Sequence, residues 1–259
     1  MVSEPLLDIR NVSVSFGGVH ALKDVSFSVA EGSITAVIGP NGAGKTTMFN
    51  VLSGFAKPKQ GQVVLAGEDI TSLAIDKRAG RGFARTFQNI SLYPGMTVLE
   101  NIKLGAHTHM KTSVLSAGWF WGGAQREEVA LRQKIEEEII DFLEIDHIRN
   151  HYVSMLPYGY LKRVELARAL AMQPKVLLLD EPVAGMNHEE TEDMARFILD
   201  LQEQRGVTIL LVEHDMSMVM DISNHVAVLN FGEVIATGAP AQVQASPAVI
   251  EAYLGAEAA

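Results

Sequence analysis

The sequence predicts an α/β domain with a mostly parallel core sheet, preceded by an antiparallel β section and interrupted by a helical insert. Three observations carry that expectation. Ile34–Ile38 and residues 176–179 and 207–212 are short apolar runs without alternation, as in strands covered on both faces. A loop and then a helical stretch follow each run. The N-terminal residues instead alternate apolar and polar side chains, and the middle of the chain carries a helical stripe.

Taken in order, Val12, Val14 and Phe16 alternate with polar residues, Gly17-Gly18 break the run, and Val25, Phe27 and Val29 alternate again, an antiparallel pair. Ile34–Ile38 is a buried strand, and a glycine-rich loop leads from it into a helix over 45–52. A short β section spans 62–66 and turns at Gly67-Glu68-Asp69; 82–88 reads as a strand entering a loop. Within 125–144, Leu131, Ile135, Ile139, Phe142 and Leu143 share one helical face, with Glu136-Glu137-Glu138 on the solvated side. A helix over 158–172 is stopped by Pro174. Strand 176–179, helix His188–Arg205, strand 207–212, helix Met216–Ile222, a β pair at 226–230 and 234–237, and a terminal helix at 247–254 complete the series. Residues 107–123, with Trp119, Phe120 and Trp121 among glycines, show no period. The chain reads as one domain over 1–259, with a helical subdomain near 90–172 and a helical tail at 240–259.

Composition narrows the function classes. Of 259 residues, 47% are hydrophobic and 20% charged, which argues against a disordered chain. There is no cysteine, which excludes disulfide scaffolds, thiol catalysis and Cys-ligated metals. With 21 Lys+Arg against 31 Asp+Glu the formal charge is −10, so no direct contact with nucleic acid is expected. The first ten residues hold Glu4, Pro5 and Asp8 and no apolar core, so no signal peptide is read there. No apolar run approaches the ~20 residues that a spanning helix needs.

Gly39-Pro40-Asn41-Gly42-Ala43-Gly44-Lys45-Thr46 fits the phosphate-loop pattern between a buried strand and a helix, with Thr47 next. Glycines let successive N–H groups converge on phosphate oxygens, and the following helix adds its positive end. Lys45 would bridge β- and γ-phosphates and the Thr46 hydroxyl would ligate Mg2+, so ATP and Mg2+ are the expected cofactors. Asp180 ends the apolar run 176–179 where it can reach that metal. Glu181 beside it is the general-base candidate for activating water; a helix-entry cap is the plainer role for such a residue.

The long interval between Lys45 and Asp180, filled by the helical insert, resembles the ATP-binding cassette (ABC) family of P-loop NTPases. In that resemblance Gln88, in Thr-Phe-Gln-Asn, matches the glutamine of the Q-loop, which also lies near the metal. His214, in Leu-Val-Glu-His-Asp, matches the switch histidine, residues 184–187 including Asn187 match the D-loop, and Phe16 matches the aromatic that stacks on adenine. Outside the resemblance, Gln88 is an ordinary loop amide and His214 a helix-entry residue. The family's signature, Leu-Ser-Gly-Gly-Gln, corresponds to Leu156-Pro157-Tyr158-Gly159-Tyr160 here. Pro157 removes the serine hydroxyl that faces ATP bound to the opposite subunit, and Tyr160 replaces the glutamine. Gly159 and the helix N-terminus remain, and Pro is compatible with a helix start. A tolerated variant and a weakened half-site that needs a partner with an intact signature are both open.

Gly95-Met-Thr-Val-Leu-Glu-Asn-Ile, the tyrosine-containing signature, 184–187 and the ending Pro247-Ala-Val-Ile-Glu-Ala-Tyr-Leu-Gly resemble the branched-chain amino-acid importer ATPases of LivG type. The resemblance implies a subunit at the cytoplasmic face of the inner membrane, paired with a second ABC ATPase subunit, integral-membrane permeases and a periplasmic solute-binding protein. Residues Leu92-Tyr93-Pro94 are candidate permease contacts, or simply packed loop. Export ATPases of the lipopolysaccharide type share these features, and permease-free ABC ATPases acting on nucleic acid or ribosomes form a third class.

Overall fold

The structure is a computed structural model that describes residues 5–106, 133 and 135–257. Two sheets organise it. β1 (Leu7–Phe16), β2 (Val19–Val29), β4 (Gln60–Leu65) and β5 (Glu68–Asp69) form an antiparallel sheet in the order β2-β1-β4-β5. β3 (Ile34–Ile38), β6 (Phe83–Arg85), β7 (Val176–Asp180), β8 (Thr208–Val212), β9 (His225–Asn230) and β10 (Glu233–Gly238) form the second, in the order β10-β9-β3-β8-β7-β6. Its pairs are parallel except β9 with β10.

The missing alternation of the core strands has a direct cause. Ile34, Ala36, Ile38, Leu177, Leu179, Ile209, Leu211, Val226 and Val228 bury on one face, against the helices. Val37, Val176, Leu178, Leu210, Val212, Ala227 and Leu229 bury on the other, against the helix Lys45–Ser53 and the antiparallel sheet. With both faces covered, each position favours an apolar side chain, and each such burial contributes about 1.5–3 kcal/mol. β1 and β2 have one face in water and keep the polar–apolar pattern.

The helices in chain order are α1 (Lys45–Ser53), α2 (Ile75–Ala79), α3 (Val98–Ala106), α4 (Tyr158–Leu170), α5 (His188–Arg205), α6 (Met216–Ile222), α7 (Pro240–Gln244) and α8 (Pro247–Glu257). α1 has no side-chain cap at its start, so its first N–H groups are left for a ligand. At its far end the guanidinium of Arg78, 1% exposed, donates to the carbonyls of Val51 and Leu52, each at 2.6 Å. It thus closes the negative end of the helix. At α3, Thr97 Oγ1 accepts from Glu100 N while Glu100 Oε2 accepts from Thr97 N, a capping box that orders the start of the helical region.

Several expectations are corrected in detail. The helix expected over 125–144 ends in a π-helical turn, Glu136–Ile140, in which Asp141 N reaches Glu136 O. The wider turn lets the adjacent residues Ile139 and Ile140 both bury, while Glu137 and Glu138 stay exposed. Leu131, like 107–123 and most of 125–134, lies outside the described residues. α4 stops at Leu170, with Met172 in the following turn. Only 83–85 of 82–88 are strand. The turn after β4 is Ala66-Gly67, both at positive φ, and Glu68-Asp69 already pair back to it. Sequence patterning does not set α2, α3 and α7 apart as helices; two of them are a single turn or so and carry little periodicity.

Candidate functional site

Parallel pairing sends the C-terminal ends of β3, β6, β7 and β8 to one edge of the sheet, the edge where open α/β sheets bind ligands. The loop after β3 carries residues 39–46. Gly39 is buried at φ 150°, and a Cβ there would lie 2.0 Å from Leu229 O, so only glycine fits between β3 and β9. Asn41, Gly42 and Thr46 are exposed, Pro40, Gly44 and Thr47 half-buried, and Ala43 buried. Behind the loop, Gly232 N donates to Ala43 O at 2.9 Å and Lys23 N to Gly232 O at 2.7 Å, which clamps the loop to the β9–β10 hairpin. Lys45 Nζ folds onto the carbonyls of Gly39 (2.6 Å) and Pro40 (3.1 Å). Burial lowers the lysine below its usual range, and the charges of Glu181 and Asp180 oppose that shift. Phe16, 58% exposed, stands at the tip of the β1–β2 hairpin, whose Ala21 carbonyl crowds Gly44.

Asp180 ends β7 and is buried against Arg85, whose Nη2 donates to its Oδ2 at 2.7 Å. Glu181 follows at φ 51°, a left-handed backbone that a non-glycine residue seldom adopts and that tends to persist at functional sites. Both of its carboxylate oxygens are held from opposite sides. His214 Nε2 lies 3.0 Å from Oε1, and Gln88 Nε2 donates to Oε2 at 2.9 Å. The structure therefore gathers Lys45, Asp180, Glu181, Gln88 and His214 from four strand ends.

Three supporting residues carry no local sequence signal. Lys162 on α4, 3% exposed, donates to Glu181 O at 3.1 Å and Gln88 O at 3.3 Å, tying both backbones to one ammonium. Glu213, before His214, accepts N–H groups from Val183, His214 and Asp215. Burial raises its carboxyl above the usual range, while those bonds to the ionised form pull the other way. Glu165 accepts from Phe87 N, beside Gln88, at 3.3 Å and is likewise raised by burial. Buried charges need partners, and each of these three finds its partners on segments distant in the sequence.

The segment 156–160 stands apart from this cluster. Pro157 occupies the cap position of α4 with extended ψ and no side-chain cap. Tyr158 is 43% exposed and lies beneath Gly185 of the 184–187 loop, where a Cβ would stand 3.2 Å from the tyrosine Cε1. Gly159 is buried against Glu190, where a Cβ would sit 2.2 Å from Oε1. Leu156 is half-buried. Tyr160 turns inward: its hydroxyl lies 3.2 Å from His147 Nε2, and Arg163 stacks 5.5 Å from its ring. The hydroxyl is thus engaged within the helical region. Asn187 caps α5 in a capping box with Glu190, so Gly159 and Asn187 share one carboxylate as neighbour.

Comparison with known proteins places these features in context. Residues 22–184 match the ABC transporter family, and 233–259 match the branched-chain amino acid ATP-binding cassette transporter family. The chain is 41% identical over 254 residues to the high-affinity branched-chain amino acid transport ATP-binding protein BraF of Pseudomonas aeruginosa, covering 98% of this chain and 99% of that one. It is 38% identical to LivG of Escherichia coli over the same span, and 36% identical over 250 residues to the lipopolysaccharide export ATP-binding protein LptB of Haemophilus influenzae, covering 96% and 97%. The ADP conformation of MJ1267, an ATP-binding cassette of an ABC transporter, superposes with a TM-score of 0.84 at 34% identity, covering 98% of this chain and all of that one.

Proposed function

From the premise that this chain belongs to the ABC transporter family of ATP-hydrolysing cassettes, we propose that it powers an importer of branched-chain or other hydrophobic amino acids, or related small organic solutes. The C-terminal match over 233–259 supports that cargo class over lipopolysaccharide export. Cassettes of this family dimerise and work with membrane permeases. Among the described residues no helix is long and apolar enough to cross a membrane. We place the subunit at the cytoplasmic face of the inner membrane, bound to permeases that receive solute from a periplasmic binding protein.

The observation that carries the mechanism is the two-sided hold on Glu181 by Gln88 and His214. A carboxylate fixed at both oxygens has little orientational freedom left to lose when it takes a proton from an attacking water. The phosphate loop would bind the triphosphate through its N–H groups and α1, while Lys45 leaves the Gly39 and Pro40 carbonyls for the β- and γ-phosphates. Phe16 supplies an exposed ring for the base. Leu156, Pro157, Tyr158, Gly159 and Asn187 would face nucleotide on a second cassette, and closure of the two would be passed to permeases near the Gln88 loop.

Thr46 and Asp180, with Gln88 beside them, would hold Mg2+. All offer hard oxygen donors of the kind Mg2+ prefers, and phosphate oxygens and water would supply the rest. Bound there, Mg2+ would offset charge shared by the β- and γ-phosphates.

Reconstitution in vesicles with the permeases tests the cargo. ATP turnover should rise on adding binding protein loaded with a branched-chain amino acid. Stimulation by lipopolysaccharide but not by amino acids would reassign the subunit to export.

A further inference from the structure

Arg85 is a charge buried where the phosphate-loop helix, the end of β7 and the strand leading to Gln88 converge. Its side chain is 7% exposed and that of Asp180 6%. Nη1 donates to Asn50 Oδ1 at 2.9 Å and Ser53 Oγ at 2.8 Å, both on α1, while Nη2 donates to Asp180 Oδ2 at 2.7 Å. The rings of Phe49, Phe55 and Phe87 surround the guanidinium at 5.6, 5.9 and 5.1 Å. Nε is buried without a partner.

The manner of pairing matters more than its existence. Arginine commonly grips a carboxylate with two parallel bonds, one to each oxygen. Here the contact is end-on: one oxygen is taken, Nη1 is spent on α1, and Nε is left unpaired although a buried donor without a partner is costly. A two-pronged grip would occupy both oxygens of Asp180. The end-on contact fixes the carboxylate about its otherwise broad terminal torsion while leaving Oδ1 unclaimed by any donor among the described residues. The same guanidinium ties that orientation to α1, whose first turn carries Lys45 and Thr46.

We propose that Arg85 is a positioning residue for the metal-bound nucleotide: it pins Oδ2 of Asp180 so that Oδ1 is presented at a set distance from Thr46. This rests on the reading of Asp180 and Thr46 as the Mg2+ side of the site. Arg85 touches neither nucleotide nor metal; it acts through Asp180.

The test compares ATP affinity in Mg2+ and in EDTA, together with Mn2+ affinity of the ATP complex by electron paramagnetic resonance. Outer partners of metal ligands typically change metal affinity about 10- to 100-fold when replaced. Arg85→Lys keeps the charge but cannot reach Asp180 and α1 together. It should weaken Mn2+ binding at least about tenfold while leaving ATP affinity in EDTA within about twofold. The pair Asn50→Ala with Ser53→Ala releases the arginine from α1 and should shift Mn2+ binding in the same direction, severalfold; it decides the matter if Arg85→Lys does not fold. Unchanged Mn2+ affinity in the folded variant, or an equal loss with and without metal, would overturn the proposal by reducing Arg85 to a packing element. Asp180→Asn separates the two levels: if it leaves Mn2+ binding intact, the metal-site reading falls and this inference with it.

Discussion

Replacing Glu181 by glutamine exchanges one carboxylate oxygen for an NH2 group, removes the charge and changes almost nothing in shape, so its consequences can be worked through bond by bond. In the parent, Oε2 accepts from Gln88 Nε2 at 2.9 Å and Oε1 lies 3.0 Å from His214 Nε2. If the new amide nitrogen takes the Oε2 position, two NH2 groups face each other; rotation of the Gln88 amide by half a turn presents its oxygen and restores the bond. If it takes the Oε1 position, His214 accepts instead of donating by changing tautomer. Either adjustment is cheap, so folding stability should shift by less than about 1 kcal/mol, as for substitutions that leave no buried group unpaired. ATP binding, which uses the phosphate loop, should stay within about twofold of the parent, since the loop is untouched. Proton acceptance is lost. General-base catalysis is worth about 10²–10⁴ in rate, or about 3–5 kcal/mol at 1.36 kcal/mol per decade. Phosphate release should therefore fall at least about a hundredfold, and a dimer should accumulate with ATP by size-exclusion chromatography. A folded, ATP-binding Glu181→Gln protein that hydrolyses ATP within about threefold of the parent rate would refute the assignment of Glu181 as base.

Other substitutions probe separate parts of the molecule. Gly39→Ala places a Cβ 2.0 Å from the Leu229 carbonyl, so the loop must move; ATP titration should show at least about a tenfold loss of affinity, equivalent to about 1.4 kcal/mol of misplacement. Arg78→Met strips the carbonyls of Val51, Leu52, Leu73 and Thr71 of a buried charged donor, and urea unfolding should report a loss of about 3 kcal/mol or more. Pro157→Ser restores a hydroxyl at the start of α4; a large rise in turnover of the assembled transporter would mark this half-site as impaired, and an unchanged rate would mark the proline as tolerated.

The sequence carried the scaffold of the site because that scaffold is local. Residues 39–46 lie between a strand and a helix wherever they occur, and the apolar runs at Ile34–Ile38 and Thr208–Val212 needed only their lack of alternation to be read as doubly covered strands. Asp180 followed because it ends such a run, whereas His214 stood out only through the family resemblance. Arg85, Lys162 and Glu213 were not legible. Their partners lie 95, 74 and 30 positions away in Asp180, Gln88 and Val183, and no short-range period marks a pairing made only when strands assemble. The π-turn at Glu136–Ile140 escaped for a different reason: an i,i+4 stripe and a single wider turn bury nearly the same residues. The contact of the Tyr160 hydroxyl with His147 was likewise not legible, because it forms only when the helical region packs.

The strand order also bears on how the chain is made. β3 lies between β8 and β9, so the strand that launches the phosphate loop has both neighbours in the last quarter of the sequence. During synthesis, Ile34–Ile38 must wait, apolar and unpaired, until residues after Thr208 leave the ribosome. The clamp from Gly232 to Ala43 arrives later still. Pairing at such separation is slow and leaves strand edges open to wrong partners. A nascent chain interrupted before β8 should therefore be a client for chaperones rather than a nucleotide binder, and ATP can reward the fold only once β8 and β9 are present.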